Sequence, residues 1–386
     1  MNQKKKKVQN SLLSTGVLLL LYFSFFLPGC ASGGYQRRFE VPPPVSLASQ
    51  KKLFEYVGCM HIHSLFSHDS RGTLGEIVEA GKKSSCDFLI TTDHNSLGLL
   101  PYEGKYGNLL LIVGCELSTP IGHVIALRIP RMPSQRHDVV KMFQEIKKMG
   151  GMAIAAHPDG DRKPWRGPLV GFMGAEILNL GTEAKTADLS KLIPGLLFCY
   201  PFDRRAVIAS LLERTNEELA FYDKISIQRP LTLLAGVDAH AIPLPGGKIL
   251  MYSHVFPIAR LHVWAPSLTK SSILSALDKR RVFVGIDLLK DSTTFIFKAL
   301  QKGKEIAIMG DSISFQKGLE LVASTPFPAR IVLFRNGKEI YSVKGKSLHF
   351  TPQKAGVYRI EGRLNIQKRE VPWIYSNPIW IQPKSE

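Results

Sequence analysis

The stretch Val57-Gly58-Cys59-Met60-His61-Ile62-His63-Ser64 is a short apolar strand that runs out into two histidines one residue apart. Side chains alternate along a strand, so His61 and His63 point to one side and offer two imidazoles to a single ion. The same arrangement recurs down the chain. Phe88 to Thr92 ends in Asp93-His94, Leu109 to Cys115 in Glu116, Met152 to Ala156 in His157-Pro158, and Leu231 to Val237 in Asp238-Ala239-His240. Five strand-like runs thus deliver metal-type residues at their C-terminal ends, where α/β barrels build active sites. Imidazole and carboxylate together suit zinc, manganese or iron, and a carboxylate such as Glu116 can bridge two ions.

Amphipathic helices alternate with these runs, the signature of a β/α architecture. Thr73-Leu74-Gly75-Glu76 is a capping-box pattern, and a helix around Val139 to Met149 is closed by Gly150-Gly151. His123 to Ile129 and Ala175 to Leu178 supply further strands, and a helix near Ser271 to Lys279 with the strand Val282 to Val284 closes this unit. Beyond about residue 288 short strands dominate, with Asn336-Gly337 as a type I′ hairpin signal, which predicts a small β-sandwich over 289–386. The expected organisation is a 1–29 signal peptide, a 30–50 tether, a 51–288 barrel and that sandwich.

The N-terminus predicts export. Lys4 to Lys7 precede a mostly apolar run, Leu12 to Leu27, and Leu27-Pro28-Gly29-Cys30 resembles a bacterial lipobox, making Cys30 the lipidated residue of an envelope protein facing the periplasm or exterior. The run of about 16 residues is short for a spanning helix, which needs ~20. Losing the leader removes four lysines from a formal net charge of +18, leaving +14. That balance favours anionic partners, although no stacking aromatics are interleaved with a basic stripe as single-stranded nucleic acid would require. Apolar residues at 45% and charged residues at 21% exclude a disordered body. Cys59, Cys86, Cys115 and Cys199 are widely spaced, which argues against a zinc knuckle, a disulfide scaffold or thiol catalysis.

His61-Ile62-His63-Ser64, Thr92-Asp93-His94, Gly114-Cys115-Glu116, Gly122-His123-Val124, His157-Pro158 and Asp238-Ala239-His240 resemble the successive motifs of the polymerase and histidinol phosphatase (PHP) superfamily over residues 55–285. Ala175-Glu176-Ile177 before Asn179, Gly356-Val357-Tyr358-Arg359 and Ser376-Asn377-Pro378-Ile379 resemble its carbaryl-hydrolase-like (CehA/McbA) branch. The resemblance implies a distorted seven-stranded β/α barrel with two or three divalent metal ions. Carried onto matching positions, His61, His63, Glu116 and Asp238 hold the first ion and are the residues on which catalysis rests. Glu116, His123 and His157 hold the second, and His94 and His240 the third. The remaining third-ion ligand is Asp69 or the adjacent His68. Asp93 reads either as a carboxylate orienting a liganding imidazole or as a cap on the following turn. Arg162, Lys163 and Arg166 follow His157-Pro158 on a Gly/Pro-rich loop and read either as a substrate-phosphate contact or as a solvated loop.

The expected chemistry is attack by a metal-bridging hydroxide on a small phosphorylated or nucleotide-like substrate. A carboxylic ester, carbamate or amide hydrolase is the alternative, and a non-catalytic metal-stabilised envelope binding module is the third reading. The sequence leaves the oligomeric state open.

Overall fold

In the computed structural model, residues 53–158, 164–182, 212–244, 247–249, 252–366 and 368–384 are described. They form a mixed α/β fold in which one large sheet carries most strands and helices are few. The first part comprises β1 (Phe54–Ile62), α1 (Leu74–Lys83), β2 (Phe88–His94), β3 (Gly104–Tyr106), β4 (Leu109–Thr119), β5 (Gly122–Leu127), α2 (Val139–Lys148), β6 (Met152–Ala156) and β7 (Gly174–Asn179). It continues with α3 (Asn216–Ser226), β8 (Thr232–Gly236), the ribbon β9 (Ile242–Leu244) and β10 (Gly247–Ile249), α4 (Tyr252–Val255), β11 (Arg260–Ala265), α5 (Lys270–Asp278) and β12 (Val282–Gly285).

Local chemistry sets the helix ends where the sequence marked them. The Thr73 hydroxyl accepts from the Glu76 N–H at 3.2 Å while Glu76 accepts from the Thr73 N–H at 2.7 Å, closing the capping box of α1. Gly150, at φ 73°, takes the left-handed turn that stops α2. Both helices bury one apolar face, Ile77 and Val78 on α1 and Met142, Phe143 and Ile146 on α2.

Pairing explains how distant strand ends meet. β1 and β2, β2 and β4, β6 and β7, and β7 and β8 run parallel, whereas β4–β5 and β5–β6 are antiparallel. After β8 the chain returns to β1: Val237 N–H donates to Met60 O at 3.0 Å and His63 N–H to Ala239 O at 3.0 Å. The hairpin at 119–122 departs from the expected strand–helix alternation, because Thr119-Pro120-Ile121-Gly122 turns in place, with Thr119 Oγ1 donating to Gly122 O at 2.6 Å. Glu116 therefore lies inside β4, opposite Ile125, and not at a strand terminus.

Residues 296–382 form β13 (Ile296–Gln301), β14 (Lys304–Ile308), β15 (Ser312–Ser314), β16 (Leu319–Arg335), β17 (Lys338–Phe350), β18 (Gly356–Ile366), β19 (Arg369–Ser376) and β20 (Ile379–Gln382). Asn336 and Gly337 both have positive φ, 50° and 75°, as a type I′ turn requires. The expected strands on either side of Pro326 and Pro328 fuse into β16, whose ladder with β17 shifts register between Ser324 and Ala329. β19 pairs with β12, joining this strand-rich tail to the rest of the sheet. Buried Asn377 completes the join: its Oδ1 accepts from Leu233 N–H at 2.8 Å, and its Nδ2 donates to Leu233 O at 2.9 Å and Val282 O at 2.8 Å. One side-chain amide thus acts as a rung between β8 and β12.

Opposite Val57, the other end of β1 carries a buried ionic group. His262 Nδ1 bonds Glu55 Oε1 at 2.8 Å, and its Nε2 lies 3.2 Å from Asp287 Oδ1 and 3.0 Å from the Ser292 hydroxyl. Burial pulls the His262 value down, but the Asp287 and Glu55 carboxylates outweigh it and push it up to about 9. A raised folded value contributes stability in full below the ordinary value of 6.5 and loses it as pH climbs towards 9. We expect on the order of 3 kcal/mol to disappear across that window. Urea unfolding at pH 6 and pH 9 tests this: His262→Gln should flatten the difference, and an unchanged difference would assign it to other groups.

Candidate metal centre

Glu116 is 1% exposed and sits among five imidazoles. Its Oε1 lies 2.7 Å from His123 Nδ1 and 3.0 Å from His157 Nε2. Its Oε2 lies 3.1 Å from His61 Nε2, 3.4 Å from His63 Nε2 and 3.2 Å from His94 Nδ1. The two oxygens divide the histidines into two groups, which is how a carboxylate spans neighbouring cations. Asp238 Oδ1 adds a second acceptor, 3.5 Å from His61 Nε2 and 3.3 Å from His63 Nε2. On the solvent side Asp69 Oδ2 stands 3.2 Å from His94 Nε2 and 3.3 Å from His240 Nε2.

Donor and acceptor pairing decides what those imidazoles offer. His61 Nδ1 meets Glu176 Oε1 at 2.8 Å, and an ionised carboxylate only accepts, so the proton is on Nδ1. The Ser67 hydroxyl has one proton, given to Asp69 Oδ1 at 3.0 Å, so at 3.1 Å it must accept from His63 Nδ1. His240 Nδ1 donates to the Asp238 carbonyl at 2.9 Å. At neutral His63 the inward Nε2 is a lone pair facing carboxylate oxygens, a repulsive contact unless a cation stands between them, whereas at His61 and His240 a proton on Nε2 and a metal ion compete for the same place. The buried Nε2 of His63, Nδ1 of His94 and Nε2 of His123 have no hydrogen-bond partner, as nitrogens shaped for a metal ion would not.

Burial brings His63 down to about 4, leaving it neutral, while at His61, His157 and His240 burial also pulls down but facing carboxylates overcome it and raise the value. Burial also opposes ionisation of Glu116, yet His61, His123 and His157 hold it well below the usual carboxylate range. At Asp69 and Asp238 burial again pushes up, and facing histidines overcome it, so both stay ionised. Backbone strain gathers at the same spot: His61, His157 and Asp238 have φ of 69°, 28° and 46°, a region that side chains other than glycine enter at a cost. Four sets of donors lie within 4.8 Å of one another: His63-Asp69-His94-His240, His61-His157-Asp238, His61-His63-Glu116 and His94-Glu116-His123. Imidazole and carboxylate donors in such sets fit divalent transition metals.

All nine expected ligand positions come together. Between the two third-ion alternatives the geometry favours Asp69, since the His68 side chain is 75% exposed and lies 3.9 Å from Asp69 and beside the His94 ring, whereas Asp69 Oδ2 meets both His94 and His240. Asp93 meets no imidazole in a hydrogen bond among the described residues; it accepts from the Ser64 N–H and, at 2.7 Å, from the Ser64 hydroxyl, fixing the chain where it leaves His63. Imidazole orientation falls instead to Glu176 and Ser67, which sequence reasoning had not placed in the site. Glu176 also accepts from His157 N–H and Asn179 Nδ2, each at 3.0 Å. Its signal was available, a carboxylate in the apolar strand Ala175 to Leu178. Cys30, Arg162, Lys163 and Cys199 lie outside the described residues. Arg166 is exposed, its N–H pinned to Ile121 O at 2.8 Å on the rim beside His123. Cys59 and Cys115 are buried and inert, burial pushing Cys115 up to about 12.

No protein-family model matches the chain. An uncharacterized protein of Methanocaldococcus jannaschii is 26% identical over 113 residues, covering 26% of this chain and 66% of its own length, just under two thirds. Among solved structures, a two-domain protein of Bacteroides vulgatus containing a predicted PHP-like metal-dependent phosphoesterase aligns with 89% of this chain and 100% of its own, at 16% identity and a TM-score of 0.44. A proposed metal-dependent phosphoesterase of Bifidobacterium adolescentis aligns with 50% of this chain and 90% of its own, at 14% identity and a TM-score of 0.31.

Asp69→Ala should lower bound metal by about one equivalent, whereas His68→Ala should leave it unchanged. Elemental analysis of the purified proteins reads this directly, and the reverse pattern would transfer the role to His68.

Proposed function

We propose that the chain is a PHP-type metal-dependent hydrolase, a phosphoesterase acting on a small phosphorylated substrate. The single observation that carries this reading is the division of Glu116: one buried carboxylate shared between His123 with His157 and His61 with His63 and His94. When bound, a divalent cluster there supplies Lewis acidity and activates water at neutral pH. The chain's own residues do the rest. Glu176 and Ser67 hold His61 and His63 with Nε2 facing inward, and Asp238 adds negative charge that favours cation binding there. His61, His63, Glu116 and Asp238 are the first ion's ligands on this reading, His123 and His157 join Glu116 at the second, and Asp69, His94 and His240 form the third. On this reading the strand circuit from β1 through β2, β4, β5, β6, β7 and β8 is the distorted seven-stranded barrel, with the strand-rich tail joined to it through β19 and β12.

A second reading, hydrolysis of an aryl ester or carbamate, draws on Leu65 and Phe66, 55% and 49% exposed, directly after His63 and Ser64. An apolar pair at the mouth suits an uncharged leaving group. A panel of 4-nitrophenyl phosphate, acetate and carbamate esters separates the two. We expect turnover of the phosphate, lost with a chelator and restored by manganese or zinc. Turnover confined to the acetate or carbamate supports the second reading, and turnover of none removes both.

We further propose export with Cys30 as a lipid-bearing N-terminus. Intact mass of the membrane-extracted protein should show a chain starting at Cys30 with added acyl mass, and a different, unacylated start would remove the anchor.

A further inference from the structure

β4 continues past Glu116, and what it carries next has no part in holding metal. Ser118 is two residues on, so its side chain shares a face with Glu116, one layer nearer the mouth, and it stands opposite His123 across the hairpin. Asn95, the residue after His94, covers that layer. Its N–H donates to Glu116 O at 2.8 Å, its Oδ1 accepts from Ser118 N–H at 3.0 Å, and its Nδ2 donates to the Ser118 hydroxyl at 3.1 Å. At φ 49° Asn95 adopts the left-handed conformation that asparagine tolerates best among non-glycine residues, so these bonds extend the β2–β4 ladder by one rung.

On that rung rests a cation. Arg136 Nη1 donates to Asn95 Oδ1 at 2.8 Å, its one hydrogen bond among the described residues. The guanidinium is half-buried, anchored on the residue that follows His94, and faces no carboxylate in an ion pair among the described residues. A fixed arginine with four further N–H donors, one layer outside a metal-type cluster, matches the planar oxygens of a phosphate.

We propose that Arg136 is a substrate-binding residue that grips the non-bridging oxygens of a phosphate group, with Asn95 as its positioning residue. This deepens the phosphoesterase reading and rests on it for the identity of the anion. The charge and fork of Arg136 select an anionic, tetrahedral group over a neutral acyl ester, whose single carbonyl oxygen offers no bidentate partner.

The test uses the metal-loaded full chain and inorganic phosphate as probe. Titration calorimetry should show phosphate affinity falling roughly 10- to 100-fold in Arg136→Ala, with partial recovery in Arg136→Lys and metal content unchanged by elemental analysis. With 4-nitrophenyl phosphate, Arg136→Ala should raise KM more than it lowers kcat, and added guanidinium should restore part of the loss. Asn95→Ala should weaken phosphate binding by a smaller factor without loss of metal. Wild-type affinity in Arg136→Ala, or no phosphate binding by the wild type, overturns the assignment. If the wild type binds phosphate through Arg136 but hydrolyses no phosphoester, the catalytic reading fails and the anion site stands.

Discussion

A carboxylate buried in the middle of a protein is costly unless its charge is met on every side, and among the described residues the Glu116 carboxylate is met by imidazoles alone. The rest of the structure follows from that constraint. Two of those imidazoles, His61 and His63, turn Nδ1 to Glu176 and Ser67 and so present Nε2 to carboxylate oxygens. Such a cluster is stable as a cation trap and poor as a hydrogen-bond network. The same logic explains the strained backbone at His61, His157 and Asp238, each costing ~1–3 kcal/mol, which only a strong local interaction offsets.

Glycines allow the cluster to close this tightly. A Cβ on Gly236 would come within 2.1 Å of Glu176 Oε1 and 2.9 Å of the His61 Cβ, and one on Gly181 within 2.2 Å of Asp238 Oδ2. Bare backbone at these two places lets the supporting carboxylate reach His61 and lets Asp238 turn towards the ions. The tail serves the same end from further away. Asn377 ties β8 to β12, and Arg359 forks onto Asp223 of α3 at 2.9 and 2.7 Å, so the strand leading to Asp238 is held from both edges. Buried pairs of this kind are weak sources of net stability, and their value lies in fixing register.

How much was legible follows from the range of each interaction. Histidines at strand ends could be read because alternation and strand length are local, as could the Thr73 capping box and the Asn336-Gly337 turn. Glu176 stood out as a carboxylate in an apolar strand, but its role did not, because its partner His61 lies 115 residues away. The hairpin that places Glu116 inside β4 was hidden for a related reason: strand propensity is the same whichever neighbour the strand takes. β19 was missed because charged residues and Pro372 break its pattern, while its pairing with β12 is settled by residues far apart in sequence, such as Val284 and Tyr375. β11 and α3 likewise owe their positions to packing with distant partners.

Charge at the centre connects the metal to the rim. Asp69, Glu116 and Asp238 are held ionised in a small volume, and their charge offsets that of any divalent ions bound among them. An anionic substrate is therefore drawn from a distance chiefly by fixed cations further out. The excess of basic residues supplies a general field, which salt screens over about 8–10 Å. A guanidinium pinned one layer from Glu116 acts inside that distance, where the low dielectric of a cleft strengthens its pull on phosphate. The protein's overall charge thus governs how often an anion arrives, while the layer formed by Ser118, Asn95 and Arg136 governs whether it stays.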